Sequence, residues 1–366
     1  MIAADSRAVL TLDAGGTNFV FSAIRGGDPA AEPLTLPAQA SDLSRSLANI
    51  KEGFQRVRDS LPTPPVAISF AFPGPCDYAN GIVLRPPNMP AYRDVPLAPL
   101  LEDTFALPVF INNDGDLFAF GEAIAGFLPY VNRLLERADS PKRYRNLFGV
   151  TLGTGFGGGF VRDGQLVAGD NSGAGEIWLL RHKLCRDFNV EEGVSIRAIR
   201  RSYAEATGVD PDSAPQPKEI FEIAEGRAPG DRPAAHETFR RVGEIAGDAI
   251  AQATTLFDGL VVIGGGIAGA HTQFLPALVD EMNGTYTAPD GEPFRRLVPR
   301  AFNLENPAEL AVFLKGEPKT VTVPGSGRQV RYDAMARIGV GISRLGASEA
   351  IAIGAWAYAL SQLGPA

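Results

Sequence analysis

Apolar positions along the chain alternate between short runs that suit strands and spacings that suit helices. Residues 9–12 and 19–24 are apolar runs separated by Asp13, Ala14, Gly15, Gly16, Thr17 and Asn18, which predicts a strand, a tight turn and a returning strand. Within residues 40–60, Leu43, Leu47, Ile50, Phe54 and Val57 fall on one helical face, and the prolines of residues 62–65 end that helix. Residues 66–72 read as a strand, Pro73-Gly74-Pro75 as a sharp turn, and residues 82–84 as a short strand. Residues 109–111 form another short apolar run, which stops at Asn112, Asn113, Asp114 and Gly115. Leu117, Phe118, Phe120 and Ala123 then resume at helical spacing.

Farther along, residues 129–146 are polar and predict a surface excursion, and residues 148–161 repeat the opening device of strand, Gly/Thr turn and strand. Ile196, Ile199 and Tyr203 mark one helix. Residues 218–258 carry further helical patterns, the last with Ile245, Ala249, Ala253 and Phe257 on one face. A strand at 260–263 follows. Residues 283–335, rich in Pro, Gly and charge, read as an irregular insertion. Residues 347–360 read as a strongly apolar helix whose glycine and alanines suit close packing, back across a junction between lobes.

The chemistry concentrates at the breaks. Strand, polar corner, helix is the layout that exposes side chains at the carboxyl end of a sheet strand, where open α/β sheets bind ligands. Asp114 at that corner is the candidate catalytic base, with the amides around it able to hold a polar substrate. An Asx turn with Asp116 capping the next helix is the plainer alternative. Gly15 and Gly16 let backbone N–H groups approach a ligand, Thr17 and Asn18 add side-chain donors, and successive exposed amides make an anion-binding concavity. Neither glycine turn contains Lys or Arg, so phosphate bound there needs backbone dipoles and a metal ion for neutralisation, unlike a P-loop. A ligand with several phosphates would suit the pair of turns. Asn88 sits in a stiff proline loop, Glu176 ends a flexible Gly-rich loop, and Glu191 with Glu192 precedes a helix.

Two Gly-x-Gly-x-x-Gly matches carry less weight. Gly153, Gly155 and Gly158 lead into a strand, and Gly264, Gly266 and Gly269 lack an acidic residue ending a strand some 20 positions on, as a dinucleotide site requires. A Rossmann dehydrogenase is therefore disfavoured.

At 366 residues the chain is long for one domain, and 45% hydrophobic with 21% charged residues is an ordinary globular balance. A net charge of −8 argues against nucleic acid or acidic membrane as the main partner. The basic patches at 142–145, 197–201 and 295–300 read as solvated helix or loop faces. Two cysteines and three histidines make neither a disulfide framework nor a good zinc inventory. No apolar run approaches 18 residues and the N-terminus has no signal pattern, so a cytoplasmic protein is expected.

The order of these motifs resembles the ROK family of sugar kinases and sugar-responsive repressors, within the actin/hexokinase superfamily. Residues 12–18 look like that superfamily's first phosphate motif and residues 112–116 with Gly121-Glu122 like its connecting segment. Residues 151–159 look like the second phosphate motif and residues 262–266 like the nucleotide-base motif. Pro73-Gly74-Pro75 and residues 87–90 fall where ROK kinases have sugar-side signatures. The resemblance implies an α/β, two-lobed actin/hexokinase-like (ribonuclease H-like) fold with mixed sheets and an interlobe cleft. Residues 1–112 plus 347–366 would form a small lobe on the sugar and phosphate side, and 113–346 a large nucleotide lobe with an insertion around 283–335.

It further implies ATP-dependent phosphorylation of a hexose, at the 6-hydroxyl, with Asp114 as general base. Asn88, Asn113, Asp114, Glu176 and Glu191 would bind sugar, with Glu192 a one-residue alternative. Gly15, Gly16, Thr17, Asn18, Gly153, Thr154 and Gly155 would hold phosphates, Asp13 would orient hydrated Mg²⁺, and Gly264, Gly265 and Gly266 would lie by the adenosine. Sugar and ATP are the expected partners, without nucleic acid or membrane, in a homodimer. Leu179 stands where many relatives have a zinc-binding histidine and Cys185 is the only cysteine nearby, so no zinc site is expected. A glucokinase-like hexokinase leads. Fructokinase or N-acyl-hexosamine kinase is the runner-up, and a non-catalytic sugar-responsive regulator is the alternative of a different class. The repressor branch is disfavoured because the first phosphate hairpin starts at Val9, leaving no helix-turn-helix before it.

Overall fold

The structure, a computed structural model, describes residues 5–365. The chain divides into two compact units. One comprises the chain up to Gly126, Gly159–Gly175 and the chain from Leu345 on. The other comprises Phe127–Gly158 and Glu176–Arg344.

The first unit is built on a mixed sheet. Its first strand, Ala8–Ala14, pairs antiparallel with Asn18–Arg25 and parallel with Ala67–Ala71, which in turn pairs parallel with Val109–Asn112. Ala67–Ala71 is buried at every position, as a strand covered on both faces must be. Helix Leu43–Ser60 starts where Asp42 accepts from the Arg45 N–H at 3.1 Å. It lays Ile50, Phe54 and Val57 on the sheet, with the Phe54 ring edge-on to Phe21 at 5.2 Å. Helix Asp114–Ile124 leaves the end of strand Val109–Asn112. The C-terminal helix Ala347–Leu363 packs against it inside this unit. Glycines set that contact: a Cβ on Gly354 would lie 1.9 Å from the Leu117 carbonyl oxygen, and one on Gly121 would lie 2.0 Å from that of Ala350.

In the second unit Asn146–Leu152, Leu260–Gly264, Arg337–Ile342 and Arg300–Asn303 form a parallel array in that order. The 26-residue helix Arg232–Phe257 lies against helix His271–Met282, with Gly243 and Gly247 facing its backbone. Residues 129–146 are not wholly a surface excursion, because helix Phe127–Arg137 buries Phe127, Leu128, Val131 and Leu135. Its apolar face starts at Phe127, ahead of the polar stretch, and charge gathers only from Arg133 on. The 283–335 segment is likewise ordered. It supplies the sheet strand Arg300–Asn303, helix Pro307–Lys315 and the hairpins Thr285–Thr287/Pro293–Arg295 and Pro318–Thr322/Gln329–Asp333. The basic patch at 295–300 is not all solvated either: the Arg296 side chain is 5% exposed and ion-pairs with Asp248 at 2.7 Å and with Glu281. Among the described residues no helix is long and apolar enough to cross a membrane.

Candidate active site

In the first unit, sheet register brings the opening turn and the polar corner together. Asp13 pairs with Ala71, and Ala71 with Asn112, so the three residues form one row at the carboxyl ends of parallel strands. Neighbouring strands lie about 4.8 Å apart, which puts the backbones of Asp13 and Asn112 roughly 10 Å from each other. The turn after Asp13 closes through the Gly15 N–H, which donates to the Asn18 carbonyl at 3.0 Å. Gly16, Thr17 and Asn18 are exposed. The exposed Asn88 flanks this turn, since a Cβ on Gly16 would lie 3.6 Å from the Asn88 Cβ.

Past Asn112 the chain turns into its helix in an arrangement the sequence left open. Asn113, not Asp116, is the cap: its Oδ1 accepts from the Gly115 N–H at 2.8 Å. Asp116 is buried in the first turn, against the backbone of Gly159. Asp114 Oδ1 accepts from the same Gly115 N–H at 2.9 Å. Solvent reaches the Asp114 side chain on one side, but protein atoms crowd it elsewhere. Loss of hydration is the main influence, lifting the carboxyl above its ordinary range, and the nearby charge of Asp13 adds to it. The backbone N–H groups of Gly115 and Asp114 oppose both. Solvent still reaches the carboxyl, so a ligand can reach it too. Asp13 is exposed, and one such carboxylate beside a turn of exposed glycine and polar residues is compatible with holding a hydrated Mg²⁺.

The second unit assembles the other candidates. The turn between Asn146–Leu152 and Phe156–Arg162 closes through the Gly153 N–H to the Gly155 carbonyl, 3.0 Å. Thr151 pairs with Gly264, so this turn and the Gly264–Gly266 run leave adjacent parallel strand ends. Gly265 has φ 87°, and a Cβ there would lie 2.3 Å from the Leu152 carbonyl oxygen, so the position requires glycine. Beyond Gly266 lies a cavity of about 260 Å³ with Phe221 and Phe239 in its wall and Lys218 and Glu222 among its lining. Glu191 Oε2 accepts from the Phe156 N–H at 2.9 Å, which holds this carboxylate against the turn. Glu176 accepts from the Trp178 indole N–H.

Three side chains that pattern reading passed over support these groups. Tyr78 lies beside Asn113, its phenol driven to higher pKa first by burial. Trp178 fixes Glu176. Arg197 binds both Glu191 and Glu192. Arg197 and Arg201 belong to the 197–201 patch expected to be solvated, and both side chains are partly exposed, but each also pairs with a carboxylate, which charge density along a sequence cannot reveal. His182 and Cys185 share a loop in which His182 Nδ1 accepts the Leu184 and Cys185 N–H groups, each at 3.1 Å. Among the described residues, no group of three or more His, Cys, Asp or Glu side chains is arranged to hold a metal ion.

The profile of the ROK family matches residues 9–308. A glucokinase crystal structure from Parabacteroides distasonis is 53% identical, covers 99% of each chain and superposes with a TM-score of 0.91. A glucokinase of Thermotoga maritima is 27% identical over 72% of this chain and 83% of its own length. An N-acetyl-D-glucosamine kinase of Vibrio parahaemolyticus is 31% identical over 55% of this chain and 65% of its own. Across such curated relatives the matched stretch spans from 47% to 83% of their length.

Proposed function

The chain belongs to the ROK family, and from that premise we propose that it is a sugar kinase transferring the γ-phosphoryl group of ATP to the 6-hydroxyl of a hexose, glucose first. The observation that carries this reading is the row at the sheet end. A crowded carboxylate, Asp114, starts a helix beside a lysine-free glycine turn and a second carboxylate, Asp13. Phosphoryl transfer asks a protein for alignment and charge neutralisation more than covalent machinery, and this set supplies both.

In the proposed reaction Asp114 accepts the hydroxyl proton as the sugar oxygen bonds to the γ-phosphorus and the bridging bond to ADP breaks. Asn88, Asn113, Asp114, Glu176 and Glu191 are the side chains proposed to bind the sugar. Glu191 is favoured over Glu192, whose Oε1 takes Arg197 at 2.6 Å and whose Oε2 takes Arg201 at 3.0 Å. The backbone N–H groups of Gly15 and Gly16 and the side chains of Thr17 and Asn18 meet phosphate at one turn, and Gly153, Thr154 and Gly155 meet it at the other. Asp13 would hold hydrated Mg²⁺, which would supply charge neutralisation. Gly264, Gly265 and Gly266 border the base pocket.

The N-acetyl-D-glucosamine kinase relative favours an N-acyl-hexosamine as the second substrate reading. Leu179, 60% exposed three residues after Glu176, offers no hydrogen bond to a ring hydroxyl and tolerates an apolar substituent there. The test is ADP release by purified protein with Mg·ATP over a panel of glucose, mannose, fructose, N-acetylglucosamine and N-acetylmannosamine. Sugar-dependent turnover led by glucose is expected. ADP release independent of every sugar overturns the reading.

A further inference from the structure

We infer that Arg197 is a positioning residue that locks the sugar-binding carboxylate of Glu191 to the second glycine turn. The inference rests on the sugar-kinase reading and extends it to a residue outside the motifs. The turn itself contains no cation. Arg197, in the first turn of helix Ile196–Thr207, reaches it from the side. Its Nη1 donates to the Thr154 carbonyl at 3.3 Å, and its Nη2 to Glu191 Oε1 at 2.7 Å and Glu192 Oε1 at 2.6 Å. Its Nε also donates to Glu192 Oε1, at 3.0 Å.

Two further links join the same segments. The Ile196 N–H donates to the Gly153 carbonyl at 2.9 Å, and Glu191 Oε2 accepts the Phe156 N–H at 2.9 Å. Gly155 is part of this fit, because a Cβ there would lie 2.7 Å from Glu191 Oε2. Each oxygen of Glu191 thus has one donor, and a carboxylate offers about four lone-pair sites. Capacity remains on both oxygens for sugar hydroxyls, while the plane of the carboxylate is set. The planar guanidinium makes this possible: one fork bridges two adjacent carboxylates and a carbonyl, which an ammonium on a flexible stem does not reproduce. Without it, Glu191 and Glu192 are neighbouring like charges, and Glu191 keeps only its link to Phe156.

The experiment compares wild type with R197A and R197K, measuring sugar affinity without nucleotide by calorimetry and steady-state kinetics with Mg·ATP. In R197A the Kd and KM for sugar are expected to rise tenfold or more with kcat changed less than threefold, since a ground-state positioning contact is lost. R197K is expected to fall between the two. The Arg197 side chain is 48% exposed, so the melting temperature is expected to move by only a few degrees. Unchanged sugar Kd in both variants overturns the inference. So does a large fall in kcat at unchanged sugar KM, which marks a direct contact to the transferring phosphoryl group. If R197A does not fold, R197K decides alone, and wild-type sugar affinity in it overturns the inference. A wild type that neither binds nor phosphorylates any hexose is a failure of the kinase reading itself, seen before any variant is compared.

Discussion

Gly354→Ala is a one-carbon change some distance along the chain from Asp114, yet it acts on the helix that Asp114 begins. The added Cβ would lie 1.9 Å from the Leu117 carbonyl oxygen, 2.8 Å from its carbon and 3.1 Å from the Gly121 nitrogen. Ordinary contact begins near 3.4 Å, so helices Ala347–Leu363 and Asp114–Ile124 must separate locally by about 1.5 Å. The obstacle is backbone, so no rotamer change relieves it and truncating the Leu117 side chain gives no rescue. Overpacking of this kind costs about 1–3 kcal/mol, against a gain of about 1 kcal/mol in helix propensity for Gly→Ala. Net destabilisation is therefore modest, a loss of a few degrees in melting temperature. The effect on rate is expected to be larger, because a misplacement of about 1 Å in a catalytic group can cost roughly a hundredfold. Kinetics of ADP release, with calorimetric sugar binding and a thermal melt, separate the two effects. A variant with wild-type kcat and an unshifted melt refutes the claim that this glycine contact holds Asp114 in place.

The rate should follow the ionisation of Asp114. A base works only when deprotonated, so kcat/KM rises with pH through a value above the usual carboxylate range, and a pH–rate profile checks it. A raised folded pKa also means that ionised Asp114 costs stability once pH exceeds it. Asp114→Asn should therefore melt higher than wild type at neutral pH, and the gap should close in acid, below the carboxylate's unfolded value. His182 has the opposite sign: burial foremost, then Arg201, lowers its pKa while Nδ1 accepts two N–H groups. Its contribution is present above the unfolded value near 6.5 and lost as pH falls through the folded one, so His182→Gln should flatten the melting profile on the acid side. In the second unit Arg337, fully buried, pairs with Asp333 at 2.8 Å. Burial alone would raise the Asp333 carboxyl, but Arg337 and two backbone N–H groups hold it at about 2. Arg337→Ala should cost about 3–5 kcal/mol in denaturant unfolding, because it strands a buried charge.

Elements with a clean period were legible in the sequence. Helix Leu43–Ser60, both glycine hairpins and the strand-to-helix passage at Asp114 all follow from apolar spacing and turn chemistry. Helix Phe127–Arg137 was not, because Pro129 interrupts its first turns and a charged stretch follows from Arg133 on, although 127, 131 and 135 line one face. Strand Arg300–Asn303 is only four residues long and owes its place to pairing with Arg337–Ile342, a partner more than thirty residues away. At the site, the glycines and carboxylates announce themselves by residue type. The supporting contacts of Tyr78, Trp178 and Arg197 depend on which side chains the fold brings together. The capping role fell to Asn113 because its backbone is extended just before the helix, whereas Asp116 is already inside the first turn.

The most direct measurement is the comparison of wild type with Asp114→Asn in two assays, calorimetric binding of the preferred sugar and single-turnover transfer from Mg·ATP. Asp114 as general base predicts sugar affinity within a few-fold of wild type and transfer slowed by about 10²–10⁴. Transfer at the wild-type rate by the asparagine variant would contradict it.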